Sequence, residues 1–190
     1  DGDPIPRIVD WQSVPWGVVS LSETVGDEST EEALRLERYA RMKQLVSDSF
    51  STFATRLEKH RAPDLRLLGT SGTVTTLASL HLELPQYDRR AVDGLIVPAD
   101  AMRDISTRLS TMGPDDRRQL ACIGNERADL VVAGCAILEA ILDIWPASRL
   151  GVADRGIREG ILRSLMTADV RGTQAAAQIG TQRRQQQGRD

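Results

Sequence analysis

Cysteine and histidine are scarce in this 190-residue sequence, at two each. Cys122 and Cys135 are 13 residues apart, lie in or beside a buried-looking helix and show no metal-ligand spacing. They read as core thiols in a reducing compartment. His60 and His81 are isolated after helical stretches and read as helix-end or surface residues. No apolar run approaches membrane-spanning length and no secretory signal is present, and a cytoplasmic protein without a membrane partner is the expectation. The net charge of −3 offers no general attraction to nucleic acid or anionic lipid. Neither the Gly-Lys-Ser/Thr ending of a P-loop nor a Gly-x-Gly-x-x-Gly run occurs. What is there is ordinary: 41% hydrophobic and 27% charged residues, enough for one globular domain with a real core.

Against that background one stretch stands out, Leu65-Arg66-Leu67-Leu68-Gly69-Thr70-Ser71-Gly72-Thr73-Val74-Thr75-Thr76-Leu77. A short apolar strand runs into a turn of small residues, and an apolar helix pattern follows. Glycine lets the backbone fold tightly and a ligand approach closely. A helix start presents free N–H groups and a partial positive charge. The turn is therefore either a bare strand-to-helix connection or a phosphate cradle. A second turn has the same grammar: Ser148–Ala153 reads as a strand, Asp154-Arg155-Gly156 as the turn, and Ile157–Met166 as a helix. Two parallel strands that each lead into such a turn build one wall of an α/β cleft, where ligands of open sheets bind. Arg155 and Arg158 flank the second turn and are phosphate candidates, although Arg158 and Glu159 also make a plausible surface pair. Asp154 reads as a helix cap in preference to a water-mediated Mg²⁺ ligand.

Elsewhere, residues 5–11 and 14–22 read as two strands. Thr30 is a plausible N-cap for a helix carrying Tyr39, Met42, Val46, Phe50, Phe53 and Leu57 on one stripe, ended by Ala62-Pro63. A short apolar run over 92–97 ends at Pro98, and helices follow over 99–111 and 115–120. Arg117-Arg118 reads as a solvated face or, less simply, a basic rim for a polyanion. Asn125 is a good N-cap for an almost wholly apolar helix from Ala128 to Trp145, which must be buried. Arg127, beside Glu126 and Asp129, is either an ion-pair lock on the helix start or a guanidinium facing phosphates.

The phrases Tyr87-Asp88…Val92-Asp93-Gly94, Glu126-Arg127-Ala128-Asp129-Leu130-Val131-Val132-Ala133-Gly134 and Asp154-Arg155-Gly156-Ile157-Arg158-Glu159-Gly160 follow the Gly69–Thr73 turn in order. With the opening Ser13–Glu23, they closely resemble the Ppx/GppA family of exopolyphosphatases and guanosine-pentaphosphate phosphohydrolases over about residues 8–166. The resemblance implies an α/β domain of the ribonuclease H-like, actin-like class, a mixed sheet flanked by helices with a helical insertion. It also implies a chain truncated at its N-terminus. The family's N-terminal lobe, its catalytic glutamate and its Asp-x-Gly-Gly-Gly-Ser loop have no counterpart here, and the sequence does not begin with Met.

The resemblance further implies hydrolysis of the terminal phosphoanhydride of polyphosphate or guanosine pentaphosphate, with Mg²⁺ and as a homodimer. The catalytic residue lies outside this sequence, and the chain alone is expected to be inactive. Such chemistry needs the phosphate chain clamped, its charge offset and a water aligned in line. The backbone of Gly69, Thr70, Ser71, Gly72 and Thr73, with the three hydroxyls, supplies the clamp, and Arg127, Arg155 and Arg158 offset charge. The other reading is a non-catalytic phosphate- or alarmone-binding module that regulates a partner or dimerises. A sugar-kinase-like ATPase is disfavoured by the Arg-Ala-Asp and Arg-Glu-Gly phrases. In this fold the absent loop's strand would neighbour the Leu65–Gly69 strand, so an incomplete sheet is expected. Residues 1–166 read as the domain and 167–190 as a flexible Gln- and Arg-rich tail of charge +2, too weakly basic to favour RNA or polyphosphate.

Overall fold

The computed structural model describes residues 8–26, 28–62, 65–70, 72–124, 127–163 and 165–166. It divides into two units, residues 1–154 and 155–190.

The first unit is built around one apolar helix. Helix α7 (Val131–Ile144) buries Val131, Val132, Ala133, Cys135, Ala136, Leu138 and Leu142, side chains from all round its circumference. Helices α1 (Val18–Val25), α2 (Glu32–Leu57), α3 (Gly72–His81) and α5 (Ala99–Thr111) all pack on it. The long helix α2 turns Tyr39, Met42 and Val46 inward, and Phe50 and Phe53 meet Trp145 edge-on at 5.5 and 5.8 Å. Edge-on pairs at this separation suit the ring quadrupoles. Lys43 of α2 reaches Glu139 at 2.7 Å and Asp143 at 3.0 Å on α7, while Arg103 of α5 reaches Asp143 at 2.7 Å.

The sheet has three strands in the order β1 (Leu67–Gly69), β3 (Arg149–Val152), β2 (Ile96–Pro98). Strand β1 is parallel to β3 and β2 antiparallel to it. Leu67, Leu150 and Val97 are in register on one face, and Leu68, Gly151 and Ile96 on the other. Leu150 and Val97 belong to the core, whereas Leu68 and Ile96 are 67% and 63% exposed. Among the described residues β1 pairs only with β3, so its other edge is bare. Short helices α4 (Arg89–Val92) and α6 (Pro114–Arg118) complete the insertion around α5. In the second unit, residues 157–163 and 165–166 are helical. The expected tail, residues 167–190, lies outside the described residues.

Several sequence expectations need correction. No strand is present over 8–17, and 18–25 is helical rather than extended. Gly17 stands at the N-cap, the Ser20 hydroxyl accepts from its N–H, and Val18, Leu21 and Val25 then fall on one buried side. The β-branched valines suggested a strand, and a local cap with tertiary packing overrode that tendency. Helix α2 is preceded by Glu31, not capped by Thr30, and Ser29 accepts from the Glu31 N–H. It ends at Leu57 in a 3-10 turn over Glu58–His60, before Ala62. Arg117 is no surface residue: it is fully buried. Arg118 pairs with Asp115 and Asp129. The expected cap at Asn125 lies outside the described residues, and regular helix begins at Val131 rather than Ala128.

Candidate functional site

Strand β1 runs straight into the turn before α3, and two glycines set how tightly. A Cβ on Gly69 would lie 2.6 Å from Cγ1 of Val74, so the end of the strand rides on the first turn of the helix. A Cβ on Gly134, in the middle of α7, would lie 2.2 Å from the Thr73 hydroxyl oxygen. The start of α3 is thus wedged between β1 and α7. Thr75 donates its hydroxyl to the Gly72 carbonyl at 3.1 Å and tightens the same turn.

Two cavities meet there. The larger, about 680 Å³, is walled mainly by Leu67, Leu68, Val131, Leu138 and Ile141, and ends at Gly69, Thr70, Gly72, Thr73 and Arg127. The smaller, about 380 Å³, is more polar and is lined by Thr75, Tyr87, Gly124 and Asp154. Gly72 and Arg127 border both. The Arg127 Nη1 atom stands 4.0 Å from the point where a Cβ on Gly72 would sit. Of the two readings of Arg127, an ion pair with Asp129 does not occur among the described residues, where Asp129 pairs with Arg118 at 2.9 Å. Glu126 lies outside the described residues.

The structure thus brings Gly69, Thr70, Gly72, Thr73 and Arg127 to one place. Ser71 lies outside the described residues. Arg155 and Arg158 belong to the second unit and are exposed there, where the Gly156 N–H donates to Glu159 at 2.8 Å. Thr73 is turned toward Gly134, so what it can offer a ligand is chiefly its backbone N–H.

Asp154 ends the first unit, and its surroundings explain the Tyr87–Gly94 phrase. Asp88 caps α4 by accepting from the Arg90 N–H at 2.8 Å. Arg89 then pairs with the Asp154 carboxylate at 3.0 Å, and Asp93 accepts from the Asp154 N–H at 3.0 Å. Gly94, at φ +87°, occupies a backbone region that favours glycine and donates to the Val152 carbonyl. Burial and the neighbouring Asp154 carboxylate push the Tyr87 phenol above its usual value. Asp154 is therefore an ion-pair partner. Among the described residues no three carboxylate, histidine or cysteine side chains converge. Mg²⁺, which the resemblance implies, is usually held by one or two carboxylates together with substrate phosphates and needs no such cluster.

Gly134, Tyr87 and Gly124 escaped the sequence reading. A glycine inside an apolar helix was the available signal for the first, since it weakens a helix unless a neighbour needs the space. Tyr87 and Gly124 are brought together only by the tertiary fold. The buried Cys122 and Cys135 and the exposed helix-end His60 and His81 are where the sequence put them. Burial pushes the Cys135 thiol up to about 12.

Comparison with known proteins fits this geometry. Exopolyphosphatase 1 of Mycobacterium leprae is 27% identical over 137 residues, which is 72% of this chain and 40% of that protein. Exopolyphosphatase 2 of Mycobacterium tuberculosis is 29% identical over 102 residues, 52% of this chain and 32% of that protein. The crystal structure of the Aquifex aeolicus Ppx/GppA family member superposes with a TM-score of 0.69 at 25% identity, covering 86% of this chain and 50% of that one. The chain thus spans less than half the length of the curated relatives and half of that structure. The fold is the actin-like α/β class, a three-stranded mixed sheet flanked by helices. The profile of the Ppx/GppA phosphatase family matches residues 7–169, and the chain belongs to that family.

Proposed function

We propose that this chain supplies part of the phosphate-binding cleft of a phosphoanhydride hydrolase that releases terminal phosphate from inorganic polyphosphate. The observation that carries the reading is the placement of the Arg127 guanidinium beside the first residue of α3, where both cavities meet. A helix start offers N–H groups and a partial positive charge, and a guanidinium forks onto phosphate oxygens. Together they clamp a terminal phosphoryl group and offset its charge, which is most of what phosphoryl transfer asks of a protein. Two relatives named exopolyphosphatases favour polyphosphate over guanosine pentaphosphate.

The glutamate that positions the attacking water is assigned to sequence outside this chain, so the isolated chain binds without hydrolysing. Arg155 and Arg158 are further charge-offsetting candidates on sequence grounds, and a cytoplasmic homodimer is the expected setting.

Titration calorimetry of the 190-residue chain with tripolyphosphate, long-chain polyphosphate and guanosine pentaphosphate tests this. Binding of the polyphosphates that Arg127→Ala weakens roughly tenfold supports the reading, since a charge-assisted contact contributes about 1.5–3 kcal/mol. Equal binding by the variant overturns the assignment of Arg127. Preference for the nucleotide overturns the substrate, and phosphate release by the chain alone overturns the placement of the glutamate.

A further inference from the structure

We infer that Arg117 is a positioning residue for the anion site, acting through the backbone of the segment that carries Arg127. The inference rests on the reading of Arg127 given above. Arg117 is fully buried. Its Nε donates to the Ala128 carbonyl at 3.0 Å, its Nη1 to the Leu109 and Met112 carbonyls at 3.2 and 2.6 Å, and its Nη2 to the Glu28 carboxylate. One guanidinium thus joins the end of α5, the loop before α2 and the turn that leads into α7. Ala128, itself fully buried, directly follows Arg127.

The turn is otherwise held by local backbone bonds and by the Arg118–Asp129 ion pair. Arg127 and Ala128 both donate their N–H groups to Gly124, a glycine at φ +67°, and the Arg127 carbonyl accepts from Val131. Residues 127–130 are turn rather than helix. A planar fork with fixed donor directions fixes a carbonyl in both position and orientation, and a lysine in the same place does not. The guanidinium of Arg127 needs that fixed base to stay over the start of α3.

Arg35 provides the contrast. It is also buried and also donates only to the same loop and the same end of α5, to the carbonyls of Ser29, Thr30 and Thr111. Among the described residues no hydrogen bond of Arg35 reaches the turn over 127–130. Loss of either arginine disturbs the loop, but only loss of Arg117 releases the turn.

The test compares Arg117→Lys, Arg35→Lys, Glu28→Gln and Arg127→Ala in the 190-residue chain, at a temperature where each is folded. Tripolyphosphate affinity and amide hydrogen exchange are measured together. The expected result is affinity roughly tenfold weaker in Arg117→Lys, the scale typical of lost supporting contacts, with faster exchange at residues 127–131 in that variant and not in Arg35→Lys. Arg35→Lys and Glu28→Gln lower the melting temperature but bind within about twofold of wild type, within the scatter expected of uncoupled sites. Unchanged exchange over 127–131 in Arg117→Lys overturns the inference, as does equal weakening by Arg35→Lys. Unchanged affinity in Arg127→Ala overturns the function reading instead, and the exchange pattern then decides the role of Arg117 alone. If Arg117→Lys does not fold, Arg117→Gln and exchange at the same amides take its place.

Discussion

Gly134 sits where a methyl group has no room. Its missing Cβ is the space occupied by the Thr73 hydroxyl and methyl, and that contact seats α3 against α7. Gly134→Ala must move Thr73 or separate the helices, a form of overpacking that costs about 1–3 kcal/mol. The expected outcome is a lower melting temperature and weaker tripolyphosphate binding, because Thr73 N–H belongs to the proposed anion site. Adding Thr73→Ala in the same chain should recover part of the stability, and a double-mutant cycle by thermal melting measures the coupling. Residues of this kind divide what the sequence shows from what it hides. The turn at Gly69–Thr73 is legible because strand, glycines and helix are contiguous. Arg117 is not, because its carboxylate partner is 89 residues away and a neighbouring Arg118 suggests a surface.

Helices α2, α5 and α7 are tied by a line of charges, Lys43 between Glu139 and Asp143, with Arg103 on Asp143. Burial alone would lower the Lys43 pKa, but its hydrogen bonds to the two carboxylates raise it above 10.5. Burial alone would raise that of Asp143, but Lys43 and Arg103 bring it below 3.8. The Asp143 contribution is therefore full above 3.8 and fades as pH falls through its depressed value. The Lys43 contribution is full below 10.5 and fades as pH rises through its elevated one. Because the Asp143 side chain is 46% exposed, screening holds its share to about 1 kcal/mol or less. Melting temperature against pH should show a plateau between those limits, and Asp143→Asn should flatten the acid limb. A limb unchanged in the variant assigns it to other carboxylates. Elements that depend on local signals were readable in advance. Helix α5 occupies 99–111, the range expected from Pro98 and its apolar spacing. The segment at 18–25 was misread, because Val18-Val19 has strand propensity and only packing against α2 and α7 selects helix.

At the scale of the molecule, the chain spans half of the Aquifex structure it superposes on, and its larger cavity is walled by the apolar side of α7 and by β1. The sequence predicted an incomplete sheet, and one strand edge is bare among the described residues. The cavity itself was not legible, since its walls come from α1, β1, α3 and α7, distant along the chain. The bare edge also has a consequence for handling the protein. Leu67–Gly69 presents unpaired main-chain groups beside an exposed Leu68, and sheets blunt such edges with charge to prevent chain-to-chain addition. Concentrated solutions of this chain should therefore precipitate through β-rich aggregates that seed one another. Leu68→Lys should raise the solubility limit and delay thioflavin fluorescence while leaving the melting temperature within about 0.5 kcal/mol equivalent of wild type, as expected of a surface change. Equal precipitation by the variant would place the sticky surface elsewhere. The feature that leaves room beside the proposed anion site is thus also expected to limit the shelf life of the isolated chain.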